Sequence, residues 1–210
     1  MKNFTITVAR GFGSGGKEIA SAVAKNLGIH CYENRILTLA SHLSGHDESK
    51  FVEVDEKLRG SYIGNVLKDL PHTLSPKPVT SAFTSDMYLF QCQAEIIRSL
   101  AESESCVIVG KCADYVLKFF PNVVSVYIEA PRAYCLKRVI ERMGVSEKEA
   151  AKLIAKTDKY RADYYKFYTG GNYWTNPVNY DMTLNPARMG QDTCIELITE
   201  YCKRKFMSEE

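Results

Sequence analysis

Apolar positions along this chain alternate between a strand rhythm and a helix rhythm. Phe4 to Ala9 is a short, β-branched apolar run, which predicts a first buried strand. Lys17 to Leu27 carries Ile19, Ala20, Val23, Ala24 and Leu27 at helical spacing, and Gly28 supplies the stop. A short strand over Ile29–Tyr32 and a helix over Asn34–Leu43 are predicted next. From Gly45 to Phe83 the pattern weakens, broken by charges, Gly60, Gly64 and a proline-rich stretch over residues 71–78. This stretch, about 45–83, is expected to be a mobile insertion carrying one or two helices and not a separate domain. Helical spacing returns over Asp86–Leu100, followed by two buried strands, Cys106–Val109 and Val123–Ile128. Pro131–Met143 predicts a helix with proline in its first turn. Ser146-Glu147-Lys148-Glu149 is a capping box, so a helix starts there and runs to about Tyr168, where Gly170 and Gly171 end it. Tyr180–Leu184 and Gln191–Arg204 predict a last strand and a last helix.

Strands alternating with helices imply an α/β fold, a parallel sheet covered by helices on both faces. With 210 residues, 45% of them hydrophobic, the chain suits a single domain over 1–210. A net charge of +2 argues against a nucleic-acid-coating protein. Seven cysteines, most of them within apolar runs, read as reduced core thiols. The N-terminus turns glycine-rich before a signal-peptide core can form, and no apolar stretch approaches membrane-spanning length. A cytoplasmic protein without membrane or nucleic-acid partners is therefore expected.

The chemistry enters at Gly11-Phe12-Gly13-Ser14-Gly15-Gly16-Lys17, between the first strand and the first helix. Its spacing is that of the phosphate loop G-x-x-x-x-G-K. Several backbone N–H groups must meet a polyphosphate at once, and glycines allow the tight curl and clear the approach. The helix that follows turns its positive N-terminal end to the anion, and Lys17 adds a point charge. Gly11, Gly13, Ser14, Gly15, Gly16, Lys17 and Glu18 are the expected nucleotide-binding stretch. The rival G-x-G-x-x-G reading is also met by Gly11, Gly13 and Gly16, but Lys17 follows directly and Glu33 is its only acidic candidate. Glu18 and Ile19 follow the lysine where a phosphate loop usually offers a hydroxyl to magnesium. Ser14 is one possible substitute; phosphates and water holding the ion is the other.

Two pairs of charges lie on later helices. Arg138 and Arg142, four apart, repel unless an anion stands between them; they read either as flanking such an anion or as two solvated arginines with Glu129 and Glu141 as weak partners. Asp158 and Arg161, three apart, can form a same-helix ion pair, either a surface pair worth little or one in which the carboxylate orients the arginine toward transferring phosphate. Phosphoryl transfer is mostly charge neutralisation and in-line placement, so lysine and arginine are the expected catalytic groups. Tyr160, Tyr164, Tyr165, Tyr168 and Trp174 are read as packing, and His42 and His46 as surface residues.

The run AxxxGSGGKEIA, Cys31-Tyr32-Glu33-Asn34-Arg35, Gly110-Lys111-Cys112-Ala113-Asp114, Asp158-x-x-Arg161-x-x-Tyr164-Tyr165 and Tyr180-Asp181-Met182-Thr183-Leu184-Asn185 together resemble the cytidylate kinase-like family of P-loop proteins. The resemblance spans nearly the whole chain outside residues 48–83. It implies a nucleoside-monophosphate-kinase fold with a core, an acceptor-binding insertion and a lid near residues 144–168. It also implies ATP and Mg2+ as cofactors and a small-molecule phosphate acceptor. Under it, Arg35, Lys111 and Asp114 belong to the acceptor side, and Arg138 lies against the adenine. Lys17, Arg138, Arg161 and Asp158 form the expected catalytic set, with Arg142 at the nucleotide. This chain departs from the family at Lys111, where cytidylate kinases carry arginine, and at Cys112, where they carry aspartate. Two alternatives stand beside nucleoside monophosphate kinase. One is a kinase with a hydroxyl acceptor, needing an aspartate base such as Asp55 or Asp114. The other is a nucleotide-binding regulatory module without turnover.

Overall fold

The first strand, β1 (Thr5–Arg10), sends Phe4, Ile6 and Val8 to one face and Thr5 and Thr7 to the other, all of them buried. A strand covered on both sides lies inside a parallel sheet, and β1 is the middle of one. The computed structural model describes residues 3–33, 35–44 and 86–207. Its sheet has the order β2-β3-β1-β4-β5, formed with β2 (His30–Tyr32), β3 (Cys106–Val109), β4 (Val123–Ile128) and β5 (Met182–Leu184). Every pairing is parallel, and Thr5 is in register with both Cys106 and Val123.

On one face, α1 (Gly16–Leu27) and the final helix α8 (Gln191–Phe206) pack Ile19, Val23, Cys194 and Ile198 onto Ile6, Val8, Val124 and Val126. On the other, α2 (Arg35–Ser44) and α3 (Asp86–Ser103) bring Ile36, Leu39, Ile96 and Ile97 onto Cys106 and Ile108. Each fully buried side chain of this size stabilises the fold by about 1.5–3 kcal/mol. After β3 comes the short helix α4 (Ala113–Val116). After β4, α5 (Arg132–Met143) pairs with the long α6 (Glu147–Tyr168) around Val139, Ala150 and Ile154. A 3₁₀ turn (Pro177–Asn179) precedes β5, and α7 (Pro186–Met189) follows it.

Local signals hold where they were strongest. Gly28 and Gly144 close α1 and α5 in the left-handed conformation. The capping box is complete: the Glu149 N–H donates to the Ser146 hydroxyl, and Glu149 accepts from the Ser146 N–H. One position differs. Pro131 is the N-cap of α5 and lies outside its first turn, because its ψ of 143° is extended. All seven cysteines are free. Burial raises the thiols of Cys106 and Cys202 to about 12, so they stay protonated as core groups. Among the described residues, no helix is long and apolar enough to cross a membrane. The stretch 45–83, with His46 and Asp55, lies outside the described residues, as does the side chain of His42.

Candidate functional site

The glycine loop leaves the C-terminal end of β1 and runs straight into α1, so its amides meet the positive end of that helix. Gly15 is the N-cap of α1 at φ 93°, a conformation that a side chain would strain. A Cβ on Gly16 would lie 2.5 Å from the Cβ of Arg10, so the loop closes only without one. Ser14 is fully buried; its hydroxyl donates to the Gly11 carbonyl at 2.9 Å and accepts from the Gly16 N–H at 3.4 Å. The hydroxyl thus braces the loop from within, which removes Ser14 as a stand-in metal ligand. Ile19 is buried in the core. Among the described residues, no group of three His, Cys, Asp or Glu side chains gathers to hold a metal ion. The glycine cradle fits a polyphosphate, while the chain offers magnesium no hydroxyl beside Lys17. The ion would be held by phosphates and water.

Helix α6 grips this loop. Asp158 accepts the Phe12 N–H at 2.8 Å, and Arg161 donates to the Arg10 carbonyl at 3.0 Å. The two side chains lie 3.6 Å apart, and Arg132 approaches Asp158 at 4.0 Å. Arg161 is only 9% exposed, so the pair is part of the loop's wall and not a solvated surface bridge. Burial raises the Asp158 pKa, and the Phe12 N–H and Arg161 oppose that shift.

The remaining charges are mutually committed. Lys17 lies 2.5 Å from Glu33, which also reaches Arg10 at 3.5 Å. The acidic residue considered for a dinucleotide site is therefore the partner of the loop lysine. Glu18 stands between Arg142, with which it pairs directly, and Arg138 at 3.7 Å. The anion that relieves those two arginines is thus supplied by the chain itself. With its amide oxygen turned toward Arg138, Gln191 accepts from both terminal nitrogens at 2.6 and 3.2 Å. Arg10, Lys17, Glu18, Glu33, Arg138 and Arg142 line a cleft of about 500 Å³ that also contains Phe12 and the loop glycines.

A second, smaller cavity of about 50 Å³ adjoins it and shares Arg10 and Arg161. Its floor is the turn after β3, where Lys111 and Cys112 take φ values of 60° and 53°. Left-handed backbone costs a non-glycine residue about 1–2 kcal/mol, and two successive cases mark a geometry imposed by the surroundings. Arg10 lies against Gly110, where any Cβ would overlap its guanidinium. Lys111 is half-buried there, and both desolvation and nearby Arg10 lower its pKa. Asp114 accepts the Tyr165 hydroxyl at 2.6 Å, and burial raises its carboxyl to about 6.

The structure brings Gly11–Glu18, Arg138, Arg142, Asp158 and Arg161 to the large cleft or its wall, and Lys111 and Asp114 to the small cavity. Arg35 opens α2 just beyond Glu33, but its side chain is outside the described residues. Tyr165 and Trp174 pack with Phe90, Tyr127 and Tyr180, as read from the sequence, yet they also border the small cavity. Arg10 and Gln191 are residues at the site that the motif analysis passed over, and Glu33 was weighed there only as the acidic residue of a dinucleotide site. Arg10 alone carried a local signal, a charge ending a buried strand one residue before the first glycine.

Known proteins can now be set beside this geometry. The family model described as the cytidylate kinase-like family matches residues 5–188. Curated protein sequences yield no match. Among solved structures, an uncharacterised protein from Eubacterium ventriosum is 28% identical, with a TM-score of 0.69 over 96% of this chain and 99% of that one. A shikimate kinase from Bacteroides thetaiotaomicron is 13% identical, with a TM-score of 0.53 over 95% and 98% of the two chains. A gluconokinase from Sinorhizobium meliloti is 14% identical, with a TM-score of 0.50 over 98% and 99%. The last two agree with this chain in fold alone. The family match covers nearly all of the described structure, and the loop that it requires is built and braced here, so the chain belongs to the cytidylate kinase-like family and is a P-loop kinase.

Proposed function

We propose that this kinase transfers the γ-phosphoryl group of ATP to the phosphate of a small acceptor, a nucleoside monophosphate. The observation that carries the reading is the pair Arg10 and Arg161, which line both the phosphate-loop cleft and the small cavity beside it. Two cations shared between adjacent sites, with Lys111 also lining the small cavity, suit two anions meeting between them. ATP would supply the phosphoryl group at the loop, and its magnesium would neutralise charge on the phosphates. Lys17 would exchange Glu33 for that anion, and Arg161, held by Asp158, would face the charge that builds during transfer. No base is needed when an ionised phosphate oxygen is the nucleophile.

A hydroxyl acceptor is the second reading, favoured by one observation. Asp114 borders the small cavity with its carboxyl raised to about 6, a value suited to a general base. A coupled ADP-release assay separates the two across the common nucleoside monophosphates and matched sugars and hydroxy acids. Release of ADP with at least one monophosphate, retained in Asp114→Asn, is the expected result. Release only with hydroxyl acceptors, abolished by Asp114→Asn, overturns the phosphate reading in favour of the second.

A further inference from the structure

Arg138 lines the phosphate-loop cleft and is claimed by two groups of opposite character. Glu18, already paired with Arg142, has its carboxylate 3.7 Å from one terminal nitrogen of Arg138. Gln191 is closer: its amide oxygen accepts from both terminal nitrogens, at 2.6 and 3.2 Å. Only the second contact is within hydrogen-bond range. The Tyr134 hydroxyl lies 3.4 Å from the Gln191 amide, and the Arg138 Cζ lies 5.7 Å from the Tyr134 ring centroid. Among the described residues, Arg138 lines the cleft while Gln191 and Tyr134 do not, so the arginine is held from outside the space a ligand would fill. Gln191 opens α8, a helix anchored in the core by the fully buried Cys194 and Ile198. Its amide also abuts the loop: a Cβ on Gly15 would lie 2.8 Å from it and 3.6 Å from the Arg138 guanidinium. The arginine is thus tied to a rigid element and fixed beside the glycine loop.

We propose that Gln191 is a positioning residue of the ATP site, keeping Arg138 away from Glu18 and holding its guanidinium, still charged, beside the glycine loop for the donor nucleotide. The assignment rests on reading the large cleft as the ATP site and is independent of the acceptor. The chemistry of the partner is what matters. A carboxylate that took the same two nitrogens would cancel the charge of the arginine, whereas a neutral amide oxygen occupies two of its five N–H donors and leaves the charge for a ligand. Without the amide, Arg138 would close the 3.7 Å gap and join Arg142 on Glu18. The nucleotide would then have to break an ion pair and order a long side chain before using it, and both steps cost affinity.

The test is a double-mutant cycle read by calorimetric titration with ADP, on the wild type, Gln191→Leu, Arg138→Ala and the double variant, with no acceptor present. Gln191→Leu is expected to weaken ADP binding about tenfold, and Arg138→Ala at least as much. The double variant is expected to bind within about twofold of Arg138→Ala, because the amide then has nothing left to hold. Gln191→Ala repeats the cycle with a side chain too small to crowd Gly15, and the same coupling is expected. ADP binding that is unchanged in both Gln191 variants overturns the proposal. So does a loss of the same factor with and without Arg138, which would make Gln191 a brace of the glycine loop only. A wild type that binds no ADP overturns the ATP reading of the cleft and this assignment together, whereas failure of the proposal alone leaves wild-type ADP binding intact.

Discussion

Individual residues in this site are coupled to partners far away in sequence, and their behaviour follows from those partners. Lys17 is about half exposed and pairs with Glu33, an ion pair worth little to stability at that exposure. Lys17→Ala is therefore expected to abolish turnover while shifting stability by less than about 1 kcal/mol, read from ADP release and a thermal melt on the same preparation. Turnover that survives the change contradicts the phosphate-loop role. Asp114 behaves differently, because its carboxyl is raised to about 6 by burial. The folded chain holds that proton more tightly than the unfolded one. Its contribution is fully favourable below pH 4 and is lost as the pH rises through about 6. The shift from 3.8 to about 6 corresponds to about 3 kcal/mol lost by pH 8. Asp114→Asn, which can still accept the Tyr165 hydroxyl, is expected to melt higher than the wild type at pH 8 and to lose that advantage by pH 4. A pH-independent difference between the two would contradict burial as the cause. The glycine loop was legible at this scale because its chemistry is local, seven consecutive residues between a strand and a helix. The bond from Phe12 to Asp158 was not, because it joins positions 146 apart and depends on how α6 lies across the sheet.

At the scale of elements, α6 carries the most testable assignment. Its capping box fixes where it begins, and its packing against α5 through Ile154 and Val139 fixes where it lies. Asp158 and Arg161 therefore reach the loop with little freedom. Arg161→Ala is expected to lower kcat by on the order of 10³-fold, with a much smaller effect on ATP binding. Asp158→Asn should give a milder defect, because an amide oxygen can still accept the Phe12 N–H while the charge that holds Arg161 is gone. Equal losses in kcat and ATP affinity, or lower melting temperatures with kcat intact, would make the pair a structural brace only. The strands and long helices were readable from their periodicity to within two or three residues at most ends. Helices α4 and α7 were not, since four residues complete barely one turn and display no period. What reveals α7 is capping: Asn185 accepts from Ala187 ahead of Pro186, a local signal that apolar spacing cannot register, whereas α4 has no side-chain cap.

Over the whole molecule, sheet order decides which loops meet. Placing β1 between β3 and β4 sets the glycine loop beside both the Gly110–Cys112 turn and the start of α5. The composition and alternation of the chain announced a parallel α/β sheet, but not that order, since parallel pairing alone is silent on which strands are neighbours. That arrangement puts Arg10 and Arg161 on two adjoining cavities, and the account stands on what passes between them. The most direct measurement is phosphorus NMR of the reaction of wild-type enzyme with ATP, magnesium and each nucleoside monophosphate in turn. The account predicts that ADP resonances grow together with a second, equimolar pair of diphosphate resonances from one acceptor, as that acceptor's monophosphate signal declines. ADP formed alongside a new phosphomonoester signal, or with inorganic phosphate alone, would contradict transfer to a phosphate.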